Sequence, residues 1–282
     1  MDDRMTISST IPKPTIQRAT PPLKDKKNRG GSAYTIILLA AAILFILATA
    51  YTQFNPIDIL LSSQNFTTFI TQDFLPPKIG SLYNNLGTIL TTAEMAVGSS
   101  FIAAILALFT SIFGSKHTLH VPAINRIIRG FASFFRNIPP LVWAFILFMS
   151  LGVGTDVGFV ALFIVTFGFL VRAFIETIDE VSVDALEALT ACGAGFWQKI
   201  FHGMLPSCLQ GFISWFLYCI EVNIRDSTII GMVGGGGIGL VMITYMKQFH
   251  YQNASALILM VAVLIIGVDR LTEFLRKKVD AL

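Results

Sequence analysis

Charge is scarce in this sequence. Only 13% of its 282 residues are Asp, Glu, Lys or Arg, about half the share of an ordinary soluble domain, while 54% are hydrophobic. That balance excludes a free-standing water-soluble fold and points to a bilayer. Short alternating strands of about 10 residues, the mark of a membrane barrel, are also lacking. The apolar runs instead continue for about 20 residues, enough for a helix across a ~30 Å hydrocarbon core. Cysteine is nearly absent. Cys208 and Cys219 fall on one predicted helix, about 16 Å apart at the helical rise, too far for a disulfide, whose Cα atoms lie within about 7 Å. Cys192 and the four histidines form no metal-ligand spacing, so no metal is expected. The glycine run Gly234 to Gly237 is not followed by the Lys-Ser/Thr of a phosphate-binding loop. The chain therefore has no nucleotide cofactor of its own. No His cluster, Ser–Lys pair or carboxylate dyad stands on an apolar run, so no catalytic residue is assigned and the chain reads as a non-enzyme.

What is present is an all-α, polytopic transmembrane bundle of about six spans. Residues 1–30 hold four prolines, few large apolar side chains and a basic end at Lys24, Lys26, Lys27 and Arg29. They read as a disordered cytoplasmic tail. Ala48-Thr49-Ala50 resembles a signal cleavage box, but a charged leader this long suits an uncleaved anchor. Residues 31–84 comprise the first span, about Tyr34 to Phe54, and an outer loop. Residues 85–282 form the core. Its spans are expected at about Leu86–Phe113, from Pro139 onward, Val157–Ile178, Pro206–Gly231 and Ala254–Phe274, with an interfacial helix at Ile127–Phe135. Basic residues at Lys116, Arg126, Arg129 and Arg276 to Lys278 oppose only Lys78 and Lys247 on the other side. The asymmetry places both termini in the cytoplasm.

The segment 179–206 is the longest inside loop. Ser182 is a candidate N-cap, with Asp184 and Glu187 in the first turns, where the helix dipole favours carboxylates. Gly193 is a candidate stop. A second short helix is expected to place Phe196, Trp197, Ile200 and Phe201 on one face, before Pro206 opens the next span. Large apolar groups on a polar-side loop call for a cover, either the membrane surface or a groove on a partner protein.

Glu187-Ala188-Leu189, three residues, Gly193, nine residues, then Gly203-Met204-Leu205-Pro206 resembles the EAA loop of ABC-importer permeases. That pattern runs EAA, Gly, Ile-x-Leu-Pro at the same spacing. Leu189 stands in place of its second alanine and Gly203 in place of its isoleucine. "FRNIPPLVWAFILF", "LVRAFIETIDEVSVDALEA" and "YCIEVNIRDSTIIGMVGGGGIG" are similar to the phosphonate-type branch of those permeases. The resemblance covers most of residues 85–278 and implies a type I permease fold. It further implies that Glu187, Ala188, Gly193, Phe196, Trp197, Leu205 and Pro206 couple the chain to a separate ATPase, which would hold ATP and Mg²⁺. Implied partners are two such ATPase subunits, an extracytoplasmic solute-binding protein, and a second permease copy or a sister permease within membrane lipid. Nucleic acid is not among them. Phosphonate, phosphite or phosphate is the implied solute. Another small solute, or an ATPase-independent channel or secondary transporter built on the glycine break, are the alternatives.

Charges within spans are costly, about 2.5–3.5 kcal/mol each on insertion scales, and so invite explanation. Glu221 and Arg225 lie four apart on one helical face and can pair. Asp226 turns away from them. Either this is a structural ion pair, or Arg225 borders the path of an anionic solute, to which a guanidinium fork is well suited. Glu94 and Arg172 are further candidates for pairing, Arg172 being placed also to snorkel to headgroups. Gly234, Gly235, Gly236 and Gly237 are expected to break the helix before a short outer helix. They join Glu221, Arg225 and Asp226 as the candidate pathway and gate.

Overall fold

The computed structural model describes residues 29–52, 63–118 and 121–279. Most of the basic tail and residues 53–62 of the outer loop lie outside that set. The chain divides into two units, residues 1–64 and 65–282. In the first, α1 (Arg29–Thr52) carries a span-length apolar stretch, Tyr34–Thr52, none of which is buried. A helix apolar all round suits a lipid surrounding.

The second unit is wholly helical among the described residues. Residues 65–84, grouped with the outer loop on sequence grounds, belong to this unit. They form most of α2 (Ser63–Thr68), a wide turn at Phe69–Phe74, and α3 (Gly80–Asn84). The bundle follows as α4 (Leu86–Gly114), α5 (Pro122–Asn137), α6 (Pro140–Leu151) and α7 (Thr155–Val181). Then come α8 (Val183–Ala191), a single turn α9 (Phe196–Gln198), α10 (Leu205–Ile230), α11 (Gly237–Lys247) and α12 (Tyr251–Val279). One end of the bundle carries residues 115–118, 121–130 and 179–206 (the loop end). The other carries the glycine run (the glycine end).

Helix α7 is the centre and packs on α4, α5, α6 and α10. Ala96, Ser100, Ala103, Ala107 and Ser111, one helical turn apart, form a buried stripe on α4. Small residues are what lets two backbones approach in lipid, where no hydrophobic force drives helices together. Leu170, Phe174, Ile175 and Ile178 of α7 fill the layer beside them. Halfway along, Asn223 of α10 donates through Nδ2 to Ser100 Oγ of α4 and Thr166 Oγ1 of α7, both at 2.8 Å. This one amide ties three helices in a layer where no water competes.

Among the described residues, five helices are long and apolar enough to cross a membrane, six if α5 and α6 count as one broken span. The expected interfacial helix and the restart of the third span near Pro139 are both found. α6 has 12 residues, about 18 Å of rise, short of a ~30 Å core, and it meets α5 at 85°. Ile138 and Pro139 are extended at the junction, because a proline pushes the residue before it out of the helical region. The preceding helix is also longer than the expected Ile127–Phe135, starting at Pro122 in the first turn, where a missing N–H costs nothing.

Asn223→Leu should keep the helix and its volume but remove the inter-helix partner of Thr166 and leave Ser100 only its own-helix bond to Ala96 O. An interhelical bond in a membrane protein is worth about 0.6–1.7 kcal/mol, so the thermal midpoint in detergent should fall measurably. An unchanged midpoint would show that the tie contributes nothing to stability.

Candidate functional site

At the loop end, Asp179 sits near the end of α7 and is the root of the 179–206 segment. Its Oδ1 accepts from Ser115 Oγ at 2.7 Å and from the Lys116 backbone N–H at 3.1 Å. Its Oδ2 takes the Arg129 guanidinium of α5. Three chain segments therefore meet on one carboxylate, a role that sequence reading did not assign. Only its long-range partners reveal it, and no local pattern marks them.

Beyond the root, Ser182 lies between α7 and α8, but its hydroxyl donates back to Ile178 O at 2.6 Å instead of capping α8. The expected N-cap is thus corrected: the buried hydroxyl belongs to the helix behind it. The predicted stop at Gly193 is found. Its φ is +77°, and Gly193 N–H donates to Thr190 O while Ala194 N–H donates to Leu189 O, each at 3.0 Å. This is the Schellman closure, in which a left-handed residue lets the chain satisfy the last helical carbonyls.

The following segment differs from the expected separate helix. Phe196–Gln198, a π-turn at Lys199–Met204 and α10 run on continuously. The wide turn falls just before Pro206, whose missing N–H cannot close an ordinary turn. The aromatic face also splits. Ile200 is buried in the core with Phe196 packed against it, whereas Trp197 and Phe201 point outward, 63% and 57% exposed. Their rings stack at 6.0 Å between centroids. Glu187 and Ala188 are exposed as well, while Leu205 packs on the core and Pro206 is exposed. Of the expected coupling residues, Glu187, Ala188, Gly193, Trp197 and Pro206 are therefore exposed, while Phe196 and Leu205 pack inward; Phe201, not among them, joins Trp197 on the outside.

The two departures from the EAA pattern turn out to be one. A Cβ on Gly203 would lie 2.7 Å from Leu189 Cδ1. The larger residue on α8 occupies the space that the smaller one in the π-turn vacates.

At the glycine end, α10 loosens into a π-turn at Gly231–Gly235 and breaks at Gly234 (φ 109°) and Gly236 (φ 75°). Gly237 also has positive φ, 63°. These are left-handed conformations that favour glycine. The break is packed, not free. A Cβ on Gly236 would meet the Thr155 backbone N at 2.9 Å, and the Gly235 carbonyl lies against Gly158 of α7. The freed backbone groups find partners: Gly154 N–H donates to Gly234 O at 3.0 Å and Ile238 N–H to Thr92 Oγ1 at 2.8 Å. Non-helical backbone at membrane depth has to be enclosed in this way. The expected short helix follows as α11.

About two and a half turns before the break, Arg225 approaches Glu221 only to 3.6 Å and stays 48% exposed. The pair is loose, and much of the guanidinium is open. Asp226 is half-buried on a different face. Arg172 does not reach Glu94. It pairs with Glu176 one turn along α7, while Glu94 is exposed on α4.

Residues 107–281 match the family described as the inner membrane component of binding-protein-dependent transport systems. The chain belongs to that family. It is a multi-pass inner-membrane permease of the type I ABC-importer kind, as the motifs of 187–206 and 225–240 implied. The phosphate-import permease protein PhnE of Mycolicibacterium smegmatis is 26% identical over 258 residues, 91% of this chain and 47% of that protein. The chain thus spans about half the length of that relative. The phosphite transport system permease protein PtxC of Stutzerimonas stutzeri is 27% identical over 239 residues, 84% of this chain and 87% of that one. Among solved structures, an inward-facing chain of the MetNI methionine ABC transporter superposes with a TM-score of 0.62 at 18% identity. It covers 70% of this permease and 97% of that chain, a likeness of fold.

Gly203→Ile should place a branched side chain into Leu189 and destabilise the loop end, by about 1–3 kcal/mol if it behaves like other overpacked sites. Leu189→Ala combined with Gly203→Ile should recover most of that loss. A double variant no better than Gly203→Ile, in thermal unfolding, would refute the compensation.

Proposed function

We propose that this permease forms the translocation pathway of an ATP-driven importer for phosphonate or a related oxyanion, phosphite or phosphate. The observation that carries the coupling half is the exposed set Glu187, Ala188, Trp197 and Phe201 on a root held by Asp179. An unpartnered aromatic pair on a rigid mount is what a groove on a partner protein takes. In this reading the loop end faces the cytoplasm, in keeping with Lys116, Arg126, Arg129 and Arg276 to Lys278 on that side. Each of two ATPase subunits, holding ATP and Mg²⁺, receives one such loop from a pair of permeases, two copies of this chain or this chain and a sister. The chain itself performs no chemistry.

The oxyanion half is supported by the names of the relatives and by Arg225, whose half-exposed guanidinium stands on the helix that leads into the glycine break. Gly234 to Gly237 then serve as the outer gate, and an extracytoplasmic binding protein delivers the solute to it. Movement of the loop reaches the gate through α10, which is helical without interruption between them.

Three measurements test this. Glu187→Arg should leave the permease inserted and folded, while ATP-driven uptake into proteoliposomes falls at least about tenfold, the scale of removing one charge-assisted hydrogen bond. Uptake at the wild-type rate would remove the coupling role. Arg225→Ala should lower oxyanion uptake with the thermal midpoint unchanged. A fallen midpoint would return Arg225 to a structural role. The solute itself is read by thermal shift of the cognate binding protein with phosphonates, phosphite and phosphate; a response only to an amino acid or sugar overturns the oxyanion assignment.

A further inference from the structure

A second cationic feature lies far from Arg225, at the loop end between α5 and α7. There a cavity of about 640 Å³ is lined by Lys116, Asn125, Arg126, Arg129, Ser133 and Arg172, with no carboxylate in its wall. This volume lies within the usual range of ligand pockets, about 300–1,000 Å³. Two of its cations are answered from outside it, Arg129 by Asp179 and Arg172 by Glu176. Lys116 and Arg126 have no ion-pair partner among the described residues, and Arg129 keeps a buried Nε–H with no acceptor. The cavity thus gathers four positive side chains, holds two of them in place with salt bridges, and leaves the other two uncompensated.

Helix α5 explains how this arises. Asn125, Arg126, Arg129 and Ser133 recur at helical spacing on one face, whereas Ile124, Ile127, Phe131 and Phe134 are exposed on the other. Such a helix rests with its apolar side in acyl chains and its polar side at headgroup depth. Close contact with α7, where Gly168 admits the Ala132 carbonyl of α5, brings Arg172 to the same space. Ser133 Oγ already donates to Arg129 O at 2.7 Å and so presents its remaining lone pair inward or to water. The stronger polar groups available to a ligand are all cationic donors.

We propose that this cavity is a binding site for a phosphoryl-type oxyanion, held by Lys116 and Arg126 and oriented by Arg129 and Arg172. A multiply charged tetrahedral oxyanion offers acceptors enough for several guanidinium and ammonium donors at once. The group is either the phosphate of an anionic lipid headgroup or free inorganic phosphate on that side of the membrane. The site does not depend on which solute the permease carries.

The test uses the full chain with its ATPase partner, delipidated in detergent, at constant ionic strength. Thermal midpoints are measured against inorganic phosphate with chloride as control, and against phosphatidylglycerol with phosphatidylcholine as control. Wild type should gain stability saturably with one of the two probes. Phosphate acting in lipid-free detergent identifies the free anion; phosphatidylglycerol acting alone identifies the headgroup. Lys116→Gln with Arg126→Gln should weaken the apparent affinity at least about tenfold, the scale of removing a charged hydrogen bond. Lys277→Gln with Lys278→Gln, a basic pair outside the cavity, should leave the response intact. Without either probe, the Lys116/Arg126 double variant should unfold at or above the wild-type midpoint, since unpaired like charges are removed. A lower midpoint would mean these cations already have structural partners and would overturn the site. So would a wild type that answers neither probe beyond its control, or a double variant that answers like wild type.

Discussion

The loop end of this permease is organised around one carboxylate. Asp179 sits where the most deeply packed helix leaves the bundle, and it accepts from a hydroxyl and a backbone N–H at residues 115–116 and from a guanidinium on α5. Each bond is modest alone. Together they fix the direction in which α7 hands over to α8, and everything beyond inherits that direction: the Schellman turn at Gly193, the outward Trp197–Phe201 stack, and the start of α10. A charged acceptor is effective here because it lies at the edge of the bundle, only partly withdrawn from water, where its desolvation is bearable and its bonds remain stronger than neutral ones.

At the opposite end the constraint is different. There the chain gives up helical hydrogen bonds in a medium that offers no replacements, so the break exists only because Thr92 of α4 and Gly154, just ahead of α7, serve as partners. Glycine is needed twice over, for left-handed backbone and for room. The result is a closed joint rather than a floppy one. A joint of that kind has two defined arrangements more readily than a continuum, which is what a two-state pathway requires.

How much of this could be read in the sequence follows from the range of each interaction. Spans, the stop at Gly193 and the break at Gly234 to Gly237 rest on local rules, hydropathy and backbone preference, and were legible. The 85° angle between α5 and α6 was not, although Pro139 and Pro140 were in view: proline announces a break but does not state its angle. Ser182 looked like a cap because spacing was right, yet its hydroxyl had a nearer carbonyl behind it. Asp179, the Asn223 tie and the cavity at Lys116 and Arg126 depend on partners 50 or more residues away, and no window of sequence contains them. The aromatic face at 196–201 failed more subtly, since at the helical step its four residues spread over about 140°, and only the Phe196–Ile200 edge meets the core.

The packing of Leu189 against Gly203 bears on how this loop can change over time. Two residues that share one volume cannot be exchanged in either order. Passing from Leu and Gly toward the small-then-large arrangement of the EAA pattern is open if leucine shrinks first, leaving a transient void, and obstructed if glycine grows first, into an occupied space. The loop is therefore inherited as a matched set, and a segment exchanged between permeases has to carry both positions to seat correctly.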